Sequence, residues 1–224
     1  MKKTNKLYSP FFILLLVVFI LGCKKDEKVE LPGVPSFVSK EIIEDFRNKG
    51  LVVNEGIKPP KLEGFYLVSP NTLLVPYGPE DGYKVGRVVS DYRYSFYGQT
   101  SNNEIKYDYK STVSDSGTGT GSFISGKDNL FTIYSEQVGV SLGIDTKTVT
   151  IISGELANNG IKNWQEAFVI TYKGDDPDNK LIKVGQGRIY NDGDSFSERV
   201  SSLRLNLESL KPSTSDESIF SNKK

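Results

Sequence analysis

The sequence predicts a mainly β fold: a single antiparallel, up-and-down β-barrel of eight strands preceded by one short helix, with a β-sandwich as the alternative. Three observations predict it. From Val88 onward apolar residues recur at every second position, turn signals interrupt that pattern at short intervals, and the strands so delimited follow one another through mostly short links. Closing an eight-strand meander removes both exposed edges and encloses an interior that side chains can fill or one small ligand can occupy. The strands are long for a sandwich, and no inter-sheet disulfide or buried-tryptophan pattern supports an immunoglobulin-like arrangement.

The first element is an export signal over residues 1–22. Lys2, Lys3 and Lys6 give a positive start, and Phe11 to Leu21 give an apolar run of about eleven residues. At about 1.5 Å per helical residue this run reaches only about half of the roughly 30 Å hydrocarbon core. It predicts a cleaved signal, not a spanning helix. Cys23, the only cysteine, follows at once in Ile20-Leu21-Gly22-Cys23. This segment resembles the lipobox of bacterial lipoproteins, with Leu21 in place of the small residue usual there. The resemblance implies a diacylglyceryl group on Cys23 and cleavage before it. A lone thiol in an exported protein is otherwise an unpaired liability. Lys25, Asp26 and Glu27 lie in a short charged run that resembles the export signal directing some Gram-negative lipoproteins to the outer face of the outer membrane. A solvated tether is the plain alternative.

Residues 23–35 read as the lipidated cysteine and a flexible tether, punctuated by Pro32, Gly33 and Pro35. Fully extended, residues 24–35 reach roughly 40 Å. A short helix is predicted within 36–50, where Phe37, Ile42, Ile43 and Phe46 recur near helical spacing, Ser36 or Ser39 can cap the start, and Gly50 can end it. The barrel domain is predicted over 51–211. Pro59-Pro60 excludes helix and leads into a first strand at 62–68. Further strands are predicted at 87–97, 104–113, 119–125, 130–141, 148–157, 161–173 and 181–190. Tyr92, Tyr94 and Phe96 share one face, as do Ile105, Tyr107 and Tyr109 opposite Lys106, Asp108 and Lys110. Beyond 190, Val200, Leu203, Leu207 and Leu210 fit a helix, while Leu203, Leu205 and Leu207 fit a strand. Residues 212–224 read as a mobile tail of Ser, Asp and Lys.

Composition excludes several functions. Cutting before Cys23 leaves 202 residues with 25 basic against 28 acidic side chains, a net charge of about −3. No basic excess is present to displace counterions from a nucleic acid. The chain has no histidine, which removes the commonest general base and metal ligand. With Cys23 committed to lipid, no structural zinc set remains. Serine nucleophiles have no histidine partner, and no Ser-x-x-Lys motif opens a helix.

Gly64-Phe65-Tyr66 on the first strand, the helix before it and the eight-strand order resemble the lipocalins and the wider calycin barrels. Tyr66 stands in for the family's tryptophan, and the family's other loop motif is not recognisable. The resemblance covers about 130 residues and implies a ligand-binding cup. It also implies that Arg188, on the last predicted strand, packs across Tyr66 to close the barrel.

Asn159-Gly160 is the strongest hairpin signal. As a two-residue loop it pairs Asn158 with Ile161, and counting sets Val149 opposite Ile170, Ile151 opposite Phe168, Ser153 opposite Glu166 and Glu155 opposite Trp164. Glu155 and Glu166 then become diagonal neighbours about 7–8 Å apart beside Trp164. Two carboxylates about 5–9.5 Å apart can hydrolyse a sugar; a wet rim is the plain reading. Tyr92, Tyr94, Tyr107 and Tyr109 line a cavity, form a stacking surface for sugar rings, or pack as core. Gly117, Gly119 and Gly121 read as a flexible hairpin. The acidic loops at 175–179 and 192–194 lack EF-hand spacing and are explained by turn geometry. The sequence therefore predicts a non-enzymatic, lipid-anchored protein of the outer membrane, without cofactor or metal. Its barrel binds a small ligand or an envelope partner. A filled barrel serving as an interaction or structural protein is the alternative, and a carbohydrate-active enzyme the third reading.

Overall fold

A computed structural model describes residues 34, 36–203 and 217–223. The predicted helix is α1 (Lys40–Asn48), and Ser39 caps it, its Oγ accepting from Ile42 N at 3.3 Å. Gly50 ends it at φ 102°, with Leu51 N donating to Phe46 O and Gly50 N to Arg47 O, both at 2.9 Å.

Twelve strands follow: β1 (Ile57–Lys58), β2 (Gly64–Val68), β3 (Asn71–Val75), β4 (Val88–Val89), β5 (Tyr92–Tyr97), β6 (Lys106–Ser111), β7 (Ser116–Lys127), β8 (Leu130–Ser141), β9 (Ile144–Ala157), β10 (Gly160–Lys173), β11 (Gly187–Asp192) and β12 (Phe196–Val200). Eight of them, β2-β5-β6-β7-β8-β9-β10-β12, form a closed antiparallel barrel, because β12 pairs with both β10 and β2. The β-barrel expectation holds.

On the edge away from β9, strand β10 serves two neighbours in turn. Gly160–Lys162 pair with β12, a bulge follows with Asn163 at φ 52°, and Gln165–Val169 pair with β11. Strands β11, β3 and β4 continue from there outside the ring. This corrects the predicted topology. The strand expected at 181–190 is β11, which does not close the barrel; β12, hidden in sequence by five residues of mixed character, closes it.

Alternation along the strands makes two cores. Ile152, Trp164, Phe168, Tyr94 and Tyr107 belong to the interior cluster, whereas Tyr134, Val149, Ile151, Ala167 and Ile189 pack outside against Ile43 and Phe46 of α1. The helix thus covers an apolar outer wall that would otherwise face water.

Glycines in β7 set the interior width. Gly117 and Gly119 lie inside a strand, not in a flexible hairpin, opposite Tyr109 and Tyr107 of β6. A Cβ on Gly119 would stand 2.1 Å from the Tyr107 ring. Tyr107 cannot easily yield, since its hydroxyl is bound to Ser135 Oγ at 2.6 Å. Gly119→Ala should therefore destabilise the barrel by about 1–3 kcal/mol. Urea midpoints check this, and removing the ring in Tyr107→Ala should relieve the added methyl, visible as a non-additive double-mutant cycle.

Residues 217–223 correct the mobile-tail expectation for that part of the chain; 212–216 and 224 lie outside the described residues. Ile219 and Phe220 are fully buried, and the Phe220 ring sits 4.7 Å from Phe168. The segment closes one end of the barrel.

Candidate functional site

The interior is built from the predicted tyrosine strands. In β5 and β6, Tyr94 pairs with Tyr109 and Phe96 with Tyr107. Tyr92, Tyr94, Tyr107 and Tyr109 are all buried; Tyr92, Tyr94 and Tyr109 stack on one another and Tyr107 meets Tyr94 at a tilt, at centroid distances of 6.2–6.4 Å. Trp164 enters from β10, three strand positions away around the ring, and meets Tyr94 at 4.7 Å and Phe96 at 6.1 Å. Rings from opposite walls touch, so aromatic side chains occupy the axis.

Glu166 lies in this interior at 2 % exposure, not on a wet rim. The Tyr94 hydroxyl donates to its Oε2, while its Oε1 and the Nε2 of Gln137 have no hydrogen-bond partner among the described residues. Burial pushes the Glu166 carboxyl up to about 7, against the hydrogen bond from Tyr94 that favours its charge. Burial also raises Tyr94 well above its ordinary value, and the Glu166 charge adds to the shift.

The predicted hairpin register is corrected. Asn158 and Asn159 form the turn and Gly160 pairs with Ala157, which puts Glu155 opposite Lys162, Ser153 opposite Gln165, Ile151 opposite Ala167 and Val149 opposite Val169. Gly160 is needed elsewhere: a Cβ there would stand 2.4 Å from Ser197 O and 2.7 Å from the Phe196 ring, so the glycine admits β12. Glu155 has the parity of Ile151, which faces α1, whereas Glu166 faces inward with Phe168. The two carboxylates point to opposite faces of the hairpin, and the proposed acid pair does not form.

Closure is also corrected. Arg188 does not cross Tyr66. It is fully buried on β11, where Nε and Nη2 donate to Asp81 at 2.8 and 2.6 Å and Nη1 donates to the carbonyls of Ile219 and Ser221 at 2.7 and 3.0 Å. Its guanidinium stands 4.3 Å from the Tyr83 ring centroid. The cation over Tyr66 is Arg199 of β12, 5.9 Å from the ring centroid, and Gly64 leaves room for that guanidinium. The signal was present in Asp192-Gly193-Asp194, a turn that begins a further strand.

Asp81 and Asp115 fasten the end segment, and sequence reading missed both. Burial disfavours the Asp81 carboxylate, but the bonds from Arg188 and from the N–H groups of Tyr83 and Tyr77 outweigh it and hold the group below its ordinary range. Asp115 accepts from Ser218 at 2.6 Å, from Ser141 at 2.8 Å and from the Tyr92 hydroxyl; burial raises it nonetheless. In the acidic loop, Asp176 accepts from Lys173 Nζ and Lys180 N at 2.7 Å, ordering the turn. Cys23, Lys25, Asp26 and Glu27 lie outside the described residues.

No family model matches the chain, and no curated protein or solved structure is significantly similar to it.

Proposed function

We propose that the chain is a non-enzymatic lipoprotein of the outer membrane, tethered through Cys23, whose lipocalin-like barrel serves as a filled scaffold and binds through its surface instead of its lumen. The observation that carries the reading is the contact of Trp164 with Tyr94 and Phe96 across the barrel axis, together with Phe220 sealing one end. Small-molecule pockets bury most of their ligand in a preformed space; here aromatic rings fill that space. Burying these aromatics stabilises the fold and gives the outer loops a rigid mounting. A partner of the envelope is then the natural ligand class, in keeping with a net charge that suits no nucleic acid.

Two measurements test the proposal. Labelled palmitate should enter the wild-type chain and not Cys23→Ser; equal labelling of both sinks the anchor. Trp164 is the only tryptophan, so its emission reports on the lumen without ambiguity. Titration with fatty acids, porphyrins and monosaccharides should leave that emission unchanged, whereas saturable quenching by any of them overturns the filled scaffold.

A further inference from the structure

A cavity of about 430 Å³ opens between the β5–β6 loop and β7, lined by Val34, Gly98, Glu104, Lys106, Ser122 and Phe123 among others. Its volume falls in the usual range of about 300–1,000 Å³ for small-molecule sites. The wall on the β7 side is a bulge between Thr120 and Phe123, containing Gly121 at φ 58°. Bulges are over-represented beside functional sites because they re-aim side chains. Ser122 within it is only 4 % exposed, and its Oγ has no hydrogen-bond partner among the described residues. That Oγ has no surface open to the cavity and shares the inward parity of Ile124, so Ser122 borders the cavity through its backbone.

The charges at the cavity are equally specific. Glu104 and Lys106 are exposed, stand two residues apart on an extended segment and so project to one side, about 6.5–7 Å apart along the chain. The Lys106 stem passes over Gly98, with Cδ 3.9 Å from where a Cβ would stand. Among the described residues neither charge has an ion-pair partner. Val34 and Phe123 supply an apolar wall, and the Phe37 ring lies against Gly121.

We infer that this cavity binds a small zwitterion with an apolar substituent, an α-amino acid with an aliphatic side chain being the simplest case. Its ammonium group faces Glu104, its carboxylate takes Lys106, and its side chain lies against Val34 and Phe123. Charge-assisted bonds of about 2.7–2.9 Å on either side let a single amino-acid head group bridge the two charges. The inference rests on the reading that binding is external to the lumen, and it names the ligand class.

The test is titration of the isotope-labelled, full mature chain with L-leucine by NMR, in parallel with isocaproate, which lacks the ammonium, and isoamylamine, which lacks the carboxylate. Saturable shifts at Gly98, Gly121 and Ser122 are expected for leucine, with both analogues at least about tenfold weaker. Glu104→Gln and Lys106→Gln should each weaken leucine binding about tenfold while leaving the urea midpoint unchanged, as surface substitutions do. No saturable shift up to about 10 mM leucine, or isocaproate binding as well as leucine, overturns the inference and leaves the filled-scaffold reading standing. Quenching of Trp164 by leucine places the ligand in the lumen and overturns both.

Discussion

Arg188→Met should lower stability by about 3–5 kcal/mol at neutral pH, the usual result of removing one partner from a buried ion pair. The size follows from what is left behind. Asp81 is 1 % exposed, and without the guanidinium it keeps only the N–H groups of Tyr77 and Tyr83 at 3.0 and 2.9 Å. The carbonyls of Ile219 and Ser221 lose their bonds to Nη1 as well. The sign with pH is fixed by Asp81. Its folded carboxyl titrates below the ordinary aspartate range, so it contributes stability above about pH 4 that is lost as pH falls through the folded value. In the variant that carboxyl is buried without its cation and titrates higher, so the deficit should shrink as pH falls toward 4. Hydrogen exchange supplies the second readout. Ser90 N and Ile182 N donate to the carbonyls of Glu217 and Phe220, each at 2.9 Å, and Asn222 N donates to Lys180 O at 2.7 Å. These three amides should lose protection together when the end segment is released, well before the strands of the ring. A variant with wild-type stability and wild-type protection would show that Arg188 does not hold the segment.

The parts of the fold that were legible in sequence are those in which local pattern and tertiary role agree. The alternation Tyr92, Tyr94, Phe96 and Tyr107, Tyr109 places every one of these rings inside the barrel. Residues 130–141 form a strand with the predicted bounds. Legibility fails where one residue answers to two demands. Gly160 has the chemistry of a turn, but its missing side chain admits β12, so the turn forms one residue earlier and the register moves. That move alone shifts the pairing by two and keeps the faces; the bulge at Asn163, between the Lys162–Glu155 and Gln165–Ser153 pairs, shifts it by one more and exchanges them, which is why Glu155 and Glu166 separate. Strand β12 carries Ser197, Glu198 and Arg199 in its middle and offers no apolar period to detect. Ile219 and Phe220 are two apolar residues in a Ser- and Lys-rich stretch, and only the cleft made by Tyr83, Phe168 and Arg188 gives them somewhere to go. Asp81 likewise reads as a turn residue until Arg188, 107 positions away, is seen to meet it.

Glu166→Gln should stabilise the chain by about 3 kcal/mol above pH 8 and leave it nearly unchanged below pH 4. A carboxyl held at about 7 in the folded chain and at 4.5 when free binds its proton more tightly in the folded state. Stability attached to this group is therefore greatest below about pH 4.5 and is lost as pH rises toward 7, beyond which the penalty is constant. The interval between 4.5 and about 7, at about 1.36 kcal/mol per pH unit, gives the figure. Glutamine keeps the shape and can still accept from the Tyr94 hydroxyl, but it has no charge to bury. Desolvation of the carboxylate is the dominant cause, because one tyrosine hydroxyl on Oε2 does not replace water around both oxygens. Urea unfolding between pH 4 and pH 9 measures the difference directly, and a stability gap that stays flat across that range would place the Glu166 carboxyl in water instead of the core. Trp164 packs on Tyr94, the residue that binds Glu166, so its emission in the wild type should change with a midpoint near pH 7 and lose that change in the variant. The aromatic lumen, the buried acid and the tryptophan thus form one unit whose charge state is set near neutrality.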